Sequence, residues 1–199
     1  MLISERPPNR LWTCEEYHRA AEFGLFGPEE RLELLNGEII QKVSPQGKSH
    51  SVAVALIAET LRAIFRQGYY VREEKPLTLT DSSEPEPDLV VMRGSLRDVP
   101  AHPTPQTTAL VVEVSDSTLE FDQNEKAIAY ARAGISEYWI VNLRARRLEV
   151  RRDPGPMDAE TWGYRSLQII VDSNEITTLE KPHDKIALVD LLPTLPPSV

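Results

Sequence analysis

Three charged residues stand where charge is expensive. Asp88 opens a valine-rich run, Leu89 to Met92; Glu113 interrupts a second apolar run that begins at Leu110; Lys126 follows in the amphipathic segment after it. A carboxylate inside a strand buried on both faces is costly unless it is paired or binds a cation. Strands adjacent in sequence are often adjacent in space, about 4.8 Å apart, so the carboxylates of Asp88 and Glu113 can converge. Such a pair suits a hard divalent ion, Mg²⁺ or Mn²⁺, which prefers oxygen ligands and keeps several waters. A lysine beside it could orient a water or stabilise negative charge on a transferring phosphoryl group. A structural Glu113–Lys126 salt bridge explains the same spacing equally well.

The elements that must position these residues are marked in the chain. Leu110 to Leu143 reads as a β-α-β unit: two period-free apolar runs, the buried parallel strands, flank one amphipathic segment. Asp122 is expected to cap the helix, with Glu125 three residues on, and Gly134 to end it in the left-handed region. Alternation puts Asp88, Val90 and Met92 on one side of their strand, Leu89 and Val91 on the other. Upstream, Thr13 and Glu16 form a capping box opening a helix to about Glu22. Arg31 to Val43 reads as a hairpin turned at Asn36-Gly37. Glu33 on that hairpin is either a solvated residue or a site carboxylate, if the hairpin sits beside the main sheet. Ser44 to Gly47 is a turn, and His50 to Gln67 the longest helix, with an apolar stripe at Val54, Ile57, Leu61, Ile64 and Phe65. His50, near its start, is a surface or capping residue or a phosphate contact.

Tyr69 to Thr80 supplies one or two strands, and Gly94 to Thr108 is a loop that includes His102. Arg144, Arg146, Arg147, Arg151 and Arg152 lie within nine residues. They form either a solvated hairpin balancing an acidic chain or a phosphate-contacting edge. Trp162 to Val171, Ile176 to Leu179 and Ile186 to Leu192 are further strand-like runs that extend the sheet or form a small appended one. The tail from Pro193 to Val199 is proline-rich and peripheral.

Bulk properties narrow the class. The 199 residues fit one domain, 1–199, and 41% hydrophobic with 27% charged residues is an ordinary composition able to bury a core. A net charge of −9 argues against broad nonspecific binding of nucleic acid without excluding a local basic surface. The single Cys14 rules out an intrachain disulfide and accords with a reducing, cytoplasmic setting. No apolar stretch is long enough to span a bilayer, and no signal-peptide core is seen.

The segments WTCEEYHRAAEFGLF, ERLELLNGEII, SPQGKSH, EPDLVV and LVVEVSDSTLEFDQNEKAIAYARAGISEYWIVNL, in that order, resemble the Uma-type restriction endonucleases of the PD-(D/E)XK nuclease superfamily. The likeness runs from about Leu11 to Asp190. It implies a restriction-endonuclease-like α/β fold: a mixed central sheet, mainly four-stranded, flanked by helices, with the N-terminal hairpin and additional C-terminal strands. It also implies a divalent metal, Mg²⁺ or Mn²⁺, and hydrolysis of phosphodiester bonds in DNA. Pro87-Asp88 falls on the superfamily's proline-aspartate and Glu113 on its second acid. Ser115 stands where the usual lysine would be, and Lys126 resembles its migrated counterpart. Glu33 corresponds to the acid contributed near the N-terminus. On this reading Asp88, Glu113, Lys126 and Glu33 are catalytic, Asp88 and Glu113 hold the metal, and His50, Arg144, Arg146 and Arg147 contact phosphate. A homodimer is expected, with Trp139, Trp162 and Tyr164 offering aromatic area. The rival is a non-catalytic homodimeric nucleic-acid-binding or interaction module that keeps the fold.

Overall fold

The structure, a computed structural model, describes residues 9–42, 47–98, 103–171 and 174–194. Residues 1–8 of the expected lead-in, 44–46 of the expected turn, His102 and residues 195–199 of the expected tail lie outside them.

The N-terminal signals act locally, as their chemistry requires. Thr13 accepts from the Glu16 amide, and the Glu16 carboxylate accepts from the Thr13 amide, opening α1 (Cys14–Glu22). Strands β1 (Leu32–Leu35) and β2 (Glu38–Gln41) pair across Asn36 and Gly37, both at positive φ, as a tight hairpin turn demands. Helix α2 (Lys48–Ile64) follows, slightly earlier at both ends than its apolar stripe suggested.

Six strands make the main sheet: β3 (Tyr69–Glu73), β4 (Leu89–Arg93), β5 (Thr108–Ser115), β6 (Glu137–Asn142), β7 (Arg147–Pro156) and β8 (Trp162–Val171). They lie in that order, antiparallel throughout except for the parallel β5–β6 pair. The central sheet is therefore mixed and wider than four strands, because β7 and β8 add two ten-residue strands at one edge. All eight residues of β5 and all six of β6 are buried, which is why neither shows a period of two.

Side-chain alternation sends the core to both faces of this sheet. Leu89, Val91, Leu110, Val112, Trp139 and Val141 pack with α2 on one face. Val90, Met92, Val111, Tyr138 and Ile140 pack on the other, with Leu35 of the hairpin and with α4 (Ala127–Arg132). Trp139 is fully buried and Tyr164 nearly so, hence neither offers the aromatic surface expected of a dimer. Among the described residues no helix is long and apolar enough to cross a membrane.

Two expectations change. The expected strands Ile176 to Leu179 and Ile186 to Leu192 are largely not extended: only β9 (Glu175–Ile176) and β10 (Ile186–Ala187) form and pair, and after β10 the chain turns into α5 (Leu188–Leu191). An apolar run of that length fits a buried helix turn as readily as a strand, and Leu188, Leu191 and Leu192 bury at helical spacing. The second change concerns the crossover. The helix begins earlier, at α3 (Leu119–Phe121), and passes through a π-helical turn, Asp122–Lys126, before α4. Asp122 is thus inside the helical path rather than capping it, and it is buried. Gly134, at φ 81°, closes α4 as expected. Its amide donates to Ala131 and that of Ile135 to Tyr130, the Schellman pattern.

Candidate metal and catalytic site

The β4–β5 register pairs Leu89 with Val112, which sets Asp88, just ahead of β4, against Glu113 on β5. Both point to the α4 side of the sheet, and the α3–α4 crossover brings a cation onto them. Lys126 Nζ lies 2.9 Å from Glu113 Oε1 and 3.3 Å from Glu33 Oε1. The migrated lysine therefore reaches the carboxylates from its helix, while Ser115 remains buried at the end of β5. The hairpin does sit beside the main sheet: Glu33 is buried, and its other oxygen accepts from the Glu86 amide at 3.0 Å. A solvated Glu33 is excluded.

His50 and Tyr130 complete the network. The first turn of α2 places His50 Nε2 3.3 Å from Asp88 Oδ2, which also accepts from the Val114 amide at 2.7 Å. Tyr130 donates its hydroxyl to Glu113 Oε1 at 2.8 Å. Asp122 adds a fourth buried carboxylate, held by the Thr118 hydroxyl at 2.7 Å. The sequence reading missed Asp122 as a site group and missed Tyr130 entirely. Their spacing from Lys126, four residues before and four after, was the available signal, since that spacing stacks side chains on one helix face.

All of these acids, with His50 and Lys126, line one cleft of about 590 Å³. The cleft opens between the hairpin, the start of α2 and the segment after β5. Arg144, Arg146 and Arg147 are not among its lining residues. Arg144 pairs with Asp116 at the mouth, Arg146 donates to the Pro193 carbonyl, and Arg147 is drawn to buried Glu149.

The electrostatics follow from burial and from these partners. Burial is the largest influence on Glu113 and pushes its carboxyl up to about 8, with Asp88 and Asp122 adding to it and Lys126 opposing it. Lys126 is pulled down by burial, yet Glu113, Glu33 and Asp122 together outweigh that and hold it cationic above its ordinary range. The two partners thus respond unequally: the lysine keeps its charge, and the carboxyl yields to desolvation. Burial also acts to raise Asp88, but the His50 hydrogen bond and charge, with the Val114 amide, hold it below its usual range. His50 is raised: desolvation would lower it, and Asp88 prevails.

Oxygen atoms remain for a cation. Glu113 Oε1 is taken by Lys126 and Tyr130, whereas Oε2 receives only the Asp88 amide at 3.4 Å, and Asp88 Oδ1 receives no hydrogen bond from the described residues. Four buried carboxyl groups, Glu33, Asp88, Glu113 and Asp122, face one lysine and one histidine; burial favours the proton on Glu113, and a divalent ion would take that proton's place and offset the charge. Among the described residues no group of three or more His, Cys, Asp or Glu is arranged to hold a metal. The oxygens left open, Asp88 Oδ1 and Glu113 Oε2, are carboxylate oxygens, the donor type a partly hydrated hard ion such as Mg²⁺ takes, and not the ligand set of a closed zinc-like cage.

Comparison with known proteins agrees with the fold. No curated protein matches the chain. Among solved structures, a crystal structure described as a putative nuclease belonging to DUF820, from Anabaena variabilis ATCC 29413, superposes with a TM-score of 0.66. The match covers 90% of this chain and 96% of that one, at 17% identity, and so speaks to the fold alone. The family profile Uma2, described as putative restriction endonuclease, matches residues 14–185. Spanning nearly all the described elements, that match shows that the chain belongs to the Uma2 family.

Proposed function

We propose that the protein is a metal-dependent endonuclease that hydrolyses phosphodiester bonds in DNA, working as one restriction-endonuclease-like domain. The observation that carries this reading is the convergence of Asp88, Glu113 and Lys126 in a single cleft, with Glu33 beside them. A divalent ion, Mg²⁺ or Mn²⁺, held by Asp88 and Glu113 would supply Lewis acidity and a water activated at neutral pH. The chain's own residues do the rest. Asp88 is kept ionised, ready to act as a ligand, by His50 and the Val114 amide. Glu33 and Glu113 hold the Lys126 ammonium in place. Because Lys126 stays cationic, it acts as a hydrogen-bond donor to the attacking water or to the charge developing on phosphoryl oxygens, and not as a base. Tyr130 orients Glu113 and so acts at one remove.

The rival is a non-catalytic interaction module in which the same groups form a buried ion-pair network. It is favoured by the engagement of Lys126 with two carboxylates at once. The two readings part on Lys126→Met. In the nuclease, calorimetric Mg²⁺ binding persists while nicking of supercoiled plasmid with Mg²⁺ or Mn²⁺ is lost. In the module, the substitution mainly lowers stability by stranding Glu113 and Glu33. A wild type that binds no divalent ion at millimolar concentrations ends the nuclease reading. The assembly we propose is a homodimer, since cutting both strands of a duplex calls for two sites and two-fold closure is the commonest. Light scattering that stays at the monomer mass across a concentration series rejects it.

A further inference from the structure

An acidic cleft must still accept a polyanion, and its walls differ in charge. On one side, the segment after β5 and the helical crossover contribute Asp116, Glu120, Asp122 and Glu125. On the other, the hairpin contributes Arg31 and Lys42. The hairpin register explains the pair: Leu32 faces Gln41, so the next residues outward, Arg31 and Lys42, meet at the open end, where the Lys42 amide donates to the Arg31 carbonyl at 2.8 Å. The same alternation that turns Glu33 onto Lys126 brings these two cations to the mouth of the cleft.

Neither cation is used up by the fold. Among the described residues the Arg31 guanidinium forms one ion pair, 3.1 Å to Glu74, whose side chain is 41% exposed, a surface pair of little worth that a phosphate can replace. Lys42 donates to the Glu86 carbonyl at 2.6 Å and pairs loosely with the Glu86 carboxylate, 3.9 Å away and beyond hydrogen-bond reach, so N–H donors remain for a phosphate. Its charge already reaches Glu113, so it lies within electrostatic range of the carboxylates. The arginines from 144 to 152 contrast with both. Arg147 and Arg151 are bound to Glu149 and Arg152 to Glu137, and none of the three lines the cleft.

We propose that Arg31 and Lys42 bind the phosphates flanking the scissile bond of a DNA strand, making the open end of the β1–β2 hairpin the substrate-binding wall of the cleft. This rests on the endonuclease reading. The strand's backbone runs along the hairpin, where Arg31 offers a planar fork and Lys42 a point charge. Its sugars and bases face the acidic crossover, which repels phosphate and leaves only one track for the backbone.

The test is equilibrium binding of a labelled DNA duplex across a salt series, with Ca²⁺ replacing Mg²⁺ to supply a hard cation. Wild type, Arg31→Gln, Lys42→Gln, Lys42→Arg and the remote Arg165→Gln on β8 are compared, with thermal melting of each as a check on folding. Loss of one phosphate contact lowers the slope of log affinity against log salt by about 0.9. Arg31→Gln and Lys42→Gln are each expected to show that reduction, with Mg²⁺ binding still detected by calorimetry. Lys42→Arg keeps the slope, which separates lost charge from lost packing, and Arg165→Gln matches wild type. Wild-type slopes in both glutamine variants overturn the proposal and leave the nuclease reading standing. A wild type that binds no DNA at any salt overturns both.

Discussion

Two clusters of buried charge share one sheet, and they are built on opposite principles. On the neighbouring strands β6 and β7, Glu137 takes two bonds from Arg152, one from the Trp139 indole and one from the Leu179 amide. Glu149 takes Arg147, Arg151 and Gln123. Two acids there meet three guanidiniums, and every carboxylate oxygen is occupied. Among the buried groups of the cleft, four acids meet one lysine and one histidine, and Asp88 Oδ1 receives no hydrogen bond from the described residues. A buried acid that is fully paired holds a fold together; a buried acid left short of cations is waiting for one. Gln123 joins the two clusters: it belongs to the π-helical turn that carries Asp122 and Lys126 inward, yet it donates to Glu149.

The contrast can be broken most sharply in the cleft. Asp88→Asn or Glu113→Gln should lower plasmid nicking on the order of a thousandfold or more, as loss of a metal ligand and of preorganised charge requires. Glu113→Gln should lower the urea midpoint little, since burial already disfavours the Glu113 charge, whereas Asp88→Asn should lower it more, because His50 and the Val114 amide favour the ionised carboxylate. Glu137→Gln should do the reverse. Stranding Arg152 costs about 3 kcal/mol, read as a lower urea midpoint, while Mg²⁺ binding by the folded protein is unchanged. A Glu137 variant as stable as wild type would erase the distinction.

pH sharpens it further. The Glu113 carboxyl is raised to about 8 in the folded chain, against an ordinary value near 4.5. The folded protein therefore holds a proton between those values that the unfolded chain releases. The stability due to Glu113 is full below about 4.5 and lost as the pH rises through about 8. Relative to Glu113→Gln, wild type should lose stability across that window in urea titrations at stepped pH. Mg²⁺ competes for the same oxygens, so its affinity in calorimetry should climb over the same interval and level off above it. The smallest effect belongs to the link. Gln123→Ala should cost about 1 kcal/mol, the net worth of an ordinary hydrogen bond. It should slow nicking only severalfold as the π-helical turn loosens, and a thousandfold loss would place Gln123 in the chemistry itself.

Much of the site could be read from the chain because its signals are local. Asn36-Gly37 dictates the hairpin, Thr13 and Glu16 the first cap, and Gly134 the end of the crossover, each through backbone geometry that needs no distant partner. Asp88 and Glu113 were visible because charge inside an apolar run is rare. Arg147 misled for the converse reason: an arginine-rich stretch looks like a phosphate edge until the acids that neutralise it, Glu149 among them, fold against it. Asp122 misled because a cap is a local inference, and only the tertiary setting draws it inward into a π-helical turn.

The sequence by itself determined which residues carry costly charge, where the hairpin and the central strands lie, and on which side of each of those strands a side chain stands, since these depend on period and local sterics. Only the tertiary structure decided which charges meet. Lys126 reaches Glu113 across 13 residues of chain and Glu33 across a far longer span, because the hairpin docks on the sheet. His50 finds Asp88 across 38 residues. Those distances depend on how whole elements pack, which no local spacing encodes, and they separate a candidate catalytic cluster from four isolated acids.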